Sequence, residues 1–275
     1  MTSPRALACP ASLKGVLSAR DAAAALARGL GECDELPLAD GGEGTADVVP
    51  GLVEAASVIP LDPAHLDPFT SSRPFGELLA SLDADHLLIG LGGTANMDAG
   101  VGLLEVLDAL PPATVLCDVR TTLYDAPRLF GPQKGATAEQ VVEIEARFHA
   151  DERLAPFADL PGSGAAGGLG AALAYLGAEL VPGAVTVLDL VGFDASRYDL
   201  VVTGEGRVDA TTAEGKVPFE VARRCADAGV RCVVFGGTVA SNKLLQAEVV
   251  PLSGDPAQAT ADLEELGLRL ASARG

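Results

Sequence analysis

The sequence is poor in basic residues, and this shortage excludes two kinds of partner. Lysine and arginine together number 19 against 38 aspartate and glutamate residues, which gives a formal net charge of -19 at pH 7. Binding to nucleic acid or to an anionic membrane surface depends on clustered cations, and the chain contains no basic stripe. We therefore expect neither nucleic acid nor membrane as a partner.

Long apolar runs are also missing, although 48% of the residues are hydrophobic. No apolar stretch reaches the roughly 18 residues that a transmembrane helix needs. The first residues do not lead into a signal-peptide cleavage pattern. The composition is that of a globular protein, and the sequence predicts a cytoplasmic location. It leaves open whether the protein forms a homo-oligomer.

Metal-binding and disulfide patterns are absent as well. The five cysteines are widely spaced and mostly embedded in apolar runs, which is typical of small core residues in a reducing compartment. No Cys-x-x-Cys pair or histidine cluster indicates zinc. No Gly-x-x-x-x-Gly-Lys-Ser/Thr motif or protein-kinase motif set occurs, so neither a P-loop ATPase nor a protein kinase is predicted.

Lysine is scarce, and its positions are informative. The chain has only Lys14, Lys134, Lys216 and Lys243, and the first three each adjoin a glycine. A compact cation in a glycine-rich turn can meet a phosphate or a carboxylate. Chance is the alternative explanation, since the chain contains 32 glycines.

The stretch 198–218 combines the strongest signals in the chain. An apolar run at 200–202 stops at a glycine-rich loop, and Pro218 stands where a helix would begin. In open α/β sheets, ligands bind beyond the carboxyl ends of strands, beside helix N-termini. This loop is therefore a candidate for binding an anion together with a metal, although its charges could instead pair with one another in solvent. The candidate residues are Gly204, Glu205, Gly206, Arg207, Asp209 and Lys216.

The order of strand, glycine-rich loop and helix recurs along the chain. A literal Gly-x-Gly-x-x-Gly at 162–167 lacks the strand and the distant acidic residue of a dinucleotide site, so it predicts close helix packing or phosphate contact rather than nicotinamide. A capping box at Thr137 and Gln140 predicts a helix, and 46–56 is predicted as another helix. The further candidate residues are Ser12, Lys14, Asp40, Gly41, Gly42, Glu43, Gly92, Gly93, Thr94, Asp98, Asp118, Lys134, Gly167 and Gly168.

Taken in order, these loops resemble those of the bacterial type I glycerate kinase family. Seven matching stretches cover nearly the whole chain, which makes the resemblance specific. They are residues 14–19, 37–45, 90–94, 117–119, 130–136, 164–170 and 203–207 continuing to Lys216.

The resemblance implies an α/β fold with two α/β domains. One is Rossmann-like with a mainly parallel sheet and is expected at residues 1–60 plus 192–275. The other is a smaller α/β domain, expected at 61–191 and shortened here. Compared with the family, segments are missing between Thr45 and Phe69 and between Ala109 and Thr114.

The resemblance also implies an activity, in which the γ-phosphoryl group of ATP is moved to a hydroxyl group of D-glycerate with Mg²⁺ as the metal. Cations neutralise the phosphates and a carboxylate serves the acceptor hydroxyl. Asp209, Asp98, Lys216 and Arg207 are the expected catalytic residues, with Asp209 or Asp98 as the base. Asp118 and Glu205 are the expected metal ligands. The other candidates named above would bind substrate or phosphate groups.

Several positions depart from the family pattern. Ala11 and Leu13 replace an Asp and a Phe in the first loop, Arg120 begins a stretch that replaces Asp-Asn-Pro, and Thr211 replaces a Gln. In the loop 94–99, the polar residues before Asp98 are shifted. The departures leave two alternatives: a non-catalytic paralogue that binds a small acid or a partner, and a kinase for another small hydroxy acid.

Overall fold

The computed structural model describes residues 5–210, 212, 215–240 and 246–273, and the chain divides into two compact units. Unit 1 comprises Met1–Asp40 and Val187–Gly275, and unit 2 comprises Gly41–Thr186. The first change of unit falls after Asp40, earlier than the boundary expected at residue 60. The reason is a short strand at Leu52–Glu54, which pairs within the sheet of unit 2.

Strands and helices alternate along most of the chain. The strands are β1 (Ala6–Ala8), β2 (Cys33–Glu35), β3 (Leu52–Glu54), β4 (Leu87–Gly90), β5 (Ala113–Cys117), β6 (Glu179–Pro182), β7 (Leu200–Val208), β8 (Arg231–Val239) and β9 (Glu248–Pro251). The helices are α1 (Ala19–Leu30), α2 (Arg73–Ala80), α3 (Val101–Leu104), α4 (Ala126–Phe130), α5 (Ala138–Ala150), α6 (Ala165–Tyr175), α7 (Gly183–Leu190), α8 (Val217–Ala228) and α9 (Ala259–Ser272). None of the described helices is both long and apolar enough to pass through a lipid bilayer.

Each unit is built on one parallel sheet. The strand order is β2-β1-β7-β8-β9 in unit 1 and β3-β4-β5-β6 in unit 2. Counted within unit 1 alone, the order is 2-1-3-4-5, one of the two common doubly wound orders. The direction of winding reverses between β1 and β7, so the loops that follow these two strands flank the switch point of the sheet. The α/β fold class predicted from the sequence is confirmed.

Helix α1 has a side-chain N-cap and packs against α9 through small residues. The Ser18 side chain accepts a hydrogen bond from the Asp21 amide at 3.0 Å, which caps the first turn. The helix then packs against α9 through glycines on both sides. A Cβ atom added to Gly29 would lie 2.1 Å from the Glu264 carbonyl oxygen, and one added to Gly267 would lie 2.6 Å from the Leu26 carbonyl oxygen. The two backbones therefore lie too close for any larger residue.

We expect Gly29→Ala to lower the free energy of unfolding by about 2 kcal/mol. Alanine favours a helix by roughly 1 kcal/mol over glycine, so a loss would show that the contact with the α9 backbone outweighs helix propensity. Urea denaturation followed by circular dichroism measures the change. Arg20→Ala places an alanine at an exposed position of the same helix and serves as the control. A Gly29→Ala protein as stable as the control would contradict the close packing.

Several predicted elements can be compared directly with the structure. The capping box is confirmed, since the Thr137 side chain and the Gln140 side chain each accept from the other's backbone amide. Helix α8 begins at Val217, with Pro218 in its first turn as predicted. The predicted helix at 46–56 is wrong, because the chain turns at Pro50 and Gly51 and continues as β3 and a short 3-10 helix. Thr211 lies outside the described residues.

Candidate active site

In unit 1, the loop after β1 lies alongside the end of β7. The Ala11 amide donates to the Gly204 carbonyl oxygen at 2.9 Å. A Cβ atom added to Gly206 would lie 3.4 Å from the Lys14 backbone nitrogen, within ordinary van der Waals contact, so the two chain segments lie side by side. Lys14 is exposed and Ser12 is half-buried. These predicted residues therefore flank the switch point of the sheet, where doubly wound proteins bind their ligands.

Glu205 is largely buried, with 13% of its side chain exposed against 22% for Asp209. Its Oε1 accepts a 2.6 Å hydrogen bond from the Thr212 hydroxyl, and its Oε2 lies 3.7 Å from the Lys216 ammonium. Burial raises the pKa of Glu205, and the nearby Asp40 and Asp209 raise it further, while Lys216 and Thr212 oppose the change. The structure thus brings one cation and three carboxylates of the predicted set together.

Arg207 and Asp209 form a pair at the outer side of this group. The Arg207 Nε lies 2.9 Å from the Asp209 Oδ2, and 71% of the arginine side chain is exposed against 22% of the aspartate. The Asp209 amide donates to the Thr212 hydroxyl at 3.0 Å. The Arg207 side chain is therefore accessible to a ligand in solvent, whereas Asp209 is tied to Thr212 through its backbone amide.

Lys216 occupies the N-cap position of α8. Its amide donates to the Thr212 carbonyl oxygen at 3.2 Å, which ties the start of the helix to the loop that holds Glu205. The first amide groups of a helix and its dipole attract anions. A lysine at this position adds a full positive charge to the same spot, so the start of α8 suits a phosphate group.

In unit 2, four of the predicted glycine positions hold two loops and the end of β5 together. The Gly92 amide donates to the Gly41 carbonyl oxygen at 3.2 Å. A Cβ atom added to Gly92 would lie 2.4 Å from the Gly42 Cα and 2.8 Å from the Asp118 Oδ2. One added to the neighbouring Gly93 would lie 3.1 Å from the Glu43 Cβ. These residues therefore share the carboxyl edge of the second sheet.

Asp98 lies in the same loop as Gly92, but its carboxylate is fully engaged. It accepts five hydrogen bonds of 2.7–3.2 Å, from the Ser72 amide, the Ser72 hydroxyl, the Asn96 side chain and the amides of Gly100 and Gly102. Such a set of donors fixes the loop and the start of α3. The contacts support an anchoring role for Asp98 in place of the catalytic role expected from the sequence.

Lys134 is a buried cation, with 5% of the residue exposed. Its ammonium donates to the Asn96 carbonyl oxygen at 2.8 Å. Burial lowers the pKa of Lys134 to about 8, against the opposing attraction of Asp118 and Asp98. The lysine therefore keeps its charge in most molecules at neutral pH, inside the second unit.

The glycines at 167 and 168 act as close-packing positions. Both have positive φ angles, of 62° and 89°, and a Cβ atom added to Gly167 would lie 2.1 Å from the Asn96 carbonyl oxygen. The Gly167 carbonyl oxygen accepts from the Ala99 amide at 3.0 Å. These contacts place the loop of Asn96 against the start of α6. They explain the two glycines by packing within the protein, without a bound ligand.

The predicted metal ligands can be tested against the donor chemistry of the site. Among the residues that the structure describes, no group of three or more His, Cys, Asp or Glu side chains is placed to hold a metal ion. Mg²⁺ commonly takes only one or two carboxylates and completes its shell with water and phosphate oxygens. Glu205, with Asp40 and Asp209 close by, fits that pattern in unit 1. Asp118 lies in unit 2 at the end of β5.

Two residues of these groups were missed by the sequence prediction. Thr212 is 1% exposed and links Glu205, Asp209 and Lys216. Ser72 is 0% exposed and donates twice to Asp98. Thr212 could have been noticed as a hydroxyl inside a charged glycine-rich loop. Ser72 carries no such signal, because it lies 26 positions away from Asp98.

Comparison with known proteins gives a consistent result. A family model described as the glycerate kinase family matches residues 6–58, 50–111 and 109–265. The chain is 33% identical to the glycerate 2-kinase of Escherichia coli (strain K12), covering 78% of this chain and 80% of that protein. It is 32% identical to the glycerate kinase of Bacillus subtilis (strain 168), covering 86% of each.

The alignments also bear on the length of the chain. The match to the Escherichia coli protein spans 308 aligned positions, more than the 275 residues of this chain, so that relative contains segments that this chain lacks. The three matched stretches of the family model meet at 50–58 and 109–111, which are the regions where the sequence predicts missing segments.

A solved structure extends the similarity to the fold. The crystal structure of a candidate glycerate kinase 2 from Salmonella typhimurium LT2 superposes with a TM-score of 0.77 at 29% identity, covering 99% of this chain and 98% of that one. The similarity therefore holds across both units. From its loops, its sequence relatives and its architecture, this chain belongs to the glycerate kinase family.

Proposed function

We propose that the protein is an ATP-dependent kinase that transfers the γ-phosphoryl group of ATP to a hydroxyl group of D-glycerate. Membership of the glycerate kinase family carries this proposal. The grouping of Lys14, Glu205 and Lys216 at the switch point of unit 1 supports it, because phosphoryl transfer requires mainly positioning and charge neutralisation. A location in the cytoplasm remains a prediction from the sequence, and the oligomeric state stays open.

Each residue at the switch point has a distinct role in this proposal. Lys216 and the first amides of α8 bind phosphate oxygens, and Lys14 approaches them from the loop after β1. Glu205 would be an Mg²⁺ ligand in unit 1, and bound Mg²⁺ would neutralise charge on the phosphates. Asp118, in unit 2, stays a metal ligand predicted from the sequence. The raised pKa of Glu205 reflects a carboxylate held in a poorly solvated place, where a nearby cation is most effective.

Asp209 is the better of the two predicted bases. A general base must reach the acceptor hydroxyl, and the carboxylate of Asp209 is partly exposed, with its Oδ2 paired to the exposed side chain of Arg207. Asp98 instead uses both carboxylate oxygens to hold backbone amides. We therefore assign the base to Asp209 and charge stabilisation at the phosphates to Arg207.

A coupled ADP-release assay with Mg·ATP and D-glycerate tests the proposed function. We expect turnover that requires both substrates. Phosphorus NMR of the product identifies the hydroxyl that reacted, because coupling to the adjacent C–H protons differs between a primary and a secondary ester. A panel of other small hydroxy acids serves as the comparison.

Two other results would point elsewhere. Faster turnover with another hydroxy acid than with D-glycerate would assign a different acceptor. A folded protein that releases no ADP with any acceptor would favour a non-catalytic paralogue, the alternative motivated by the missing segments and by Ala11 and Arg120.

A further inference from the structure

Among the described residues, the buried ammonium of Lys134 forms no ion pair with an anionic side chain. Its neutral acceptor is the Asn96 carbonyl oxygen, and no described carboxylate forms an ion pair with it, although Asp98 and Asp118 are near enough to affect it. A charge removed from water without a paired counter-charge is destabilising. An amino acid that fills this space without charge would stabilise the protein better, so the cation needs another explanation.

Among the described residues, two buried polar atoms of the loop that Lys134 contacts through the Asn96 carbonyl oxygen also have no hydrogen-bond partner. They are the Thr94 hydroxyl oxygen and the Asn96 Oδ1, on residues that are 2% and 0% exposed. The Asn96 amide group cannot be reversed to relieve this, because its Nδ2 donates to the Ala166 carbonyl oxygen at 2.8 Å and to the Asp98 Oδ1 at 3.2 Å. Its Oδ1 is therefore an acceptor that awaits a donor.

We propose that Lys134, Asn96 and Thr94 form the subsite for the acid substrate in unit 2. The Lys134 ammonium binds the carboxylate, the Asn96 Oδ1 accepts a hydrogen bond from a hydroxyl group of the acid, and the Thr94 hydroxyl adds a further contact. This rests on the proposed function, which supplies D-glycerate as the acid. Since the two polar atoms are closed off from solvent, the acid reaches them only when residues 93–96, which precede the anchored Asp98, move aside.

The three residues define the chemical class of the ligand. A cation beside an uncharged acceptor suits a small hydroxy acid, whose negative group and hydroxyl are joined by a short carbon chain. A fully ionised terminal phosphate carries two negative charges, against one on a carboxylate, and has no hydroxyl group to donate. The orphan acceptor on Asn96 therefore favours the hydroxy acid over a nucleotide phosphate.

Lys134→Met tests the proposal, because methionine keeps the apolar stem and removes the charge. Calorimetric titration of the full chain with D-glycerate, without nucleotide, measures binding directly. We expect the variant to bind D-glycerate about 100-fold more weakly, the usual effect of losing a hydrogen bond to a charged group. The KM for ATP is expected to stay unchanged, and the melting temperature of the variant to equal or exceed that of the wild type.

Thr94→Val is a second variant of nearly equal shape that removes the unpartnered hydroxyl. We expect about tenfold weaker D-glycerate binding with no loss of melting temperature. Unchanged D-glycerate binding in this variant and in Lys134→Met would overturn the subsite. If Lys134→Met does not fold, the lysine has a structural role, and unchanged binding in Thr94→Val alone would be decisive.

Titration with inorganic phosphate separates the two anions. Lys134→Met that weakens phosphate binding and raises the KM for ATP, while D-glycerate binds normally, would assign the lysine to the nucleotide and overturn the carboxylate subsite. A wild-type protein that binds no D-glycerate at millimolar concentration would overturn it too. The proposed function is tested separately, by ADP release in the wild type. If the wild type is active but neither variant changes the KM for D-glycerate, only the proposed subsite is contradicted.

Discussion

Lys216→Met is expected to lower kcat for glycerate phosphorylation about 1000-fold, because removal of a preorganised cation from a phosphoryl-transfer site commonly has an effect of this size. Lys216 stands at the N-cap of α8 and 3.7 Å from Glu205, with 32% of its side chain exposed. Its charge is therefore accessible to a ligand, next to the first amide groups of α8. The KM for D-glycerate is expected to change much less.

Arg231→Met is the matched control for this experiment. Arg231 is also a cation of unit 1, but it lies at the amino end of β8 and pairs with Glu248 at 2.9 Å, with 44% of its side chain exposed. Its loss should leave kcat unchanged. The coupled ADP-release assay measures both variants, and a kcat for Lys216→Met within threefold of the wild type would remove Lys216 from the catalytic set.

Asp98→Asn is expected to lower the free energy of unfolding by about 3 kcal/mol. Both carboxylate oxygens accept hydrogen bonds: Oδ2 from the Ser72 amide and hydroxyl and from the Gly102 amide, and Oδ1 from the Gly100 amide and the Asn96 side chain. Whichever way the asparagine amide turns, its NH₂ group faces another donor. The buried amides then lose a partner.

Urea denaturation measures this change, with Asp83→Asn as the control. Asp83 is an exposed residue of unit 2, so the same change of charge should alter stability by less than about 0.5 kcal/mol. If Asp98 were the catalytic base, the Asp98→Asn protein would fold as stably as the control and lose kcat. That result would contradict the anchoring role.

The sequence predicted correctly the elements that depend on residues close together in the chain. The capping box at Thr137 involves neighbours three positions apart, and the start of α8 follows from a proline in its first turn. The helix prediction for 46–56 was wrong because the strand found there depends on a partner that is distant in sequence. Residues 52–54 are held in β3 by pairing with β4, more than thirty positions later, and such pairing leaves little trace in a short window.

In the candidate site, too, features that depend on neighbouring residues were predicted and those that depend on distant residues were not. Lys14, Glu205 and Lys216 were predicted because cations and carboxylates beside glycines after a strand indicate a ligand loop. Glu205 and Lys216 lie 3.7 Å apart and Lys14 is in the loop after β1, but their roles stay predictions. The role of Asp98 could not be derived, since its donors include Ser72, which is distant in sequence. Whether a carboxylate is free or saturated with amides depends on contacts that spacing does not encode.

The pairing of β1 with both β2 and β7 also imposes an order of events during synthesis. Unit 2 is a continuous stretch and has every strand of its sheet once residue 182 has left the ribosome. Unit 1 must wait, because its first strand lies between a neighbour made early and one made almost two hundred residues later. A nascent chain stalled before β7 would therefore contain all strands of unit 2, while β1 would have only β2 as a neighbour. The unpaired edge of this apolar strand would be a site for chaperone binding.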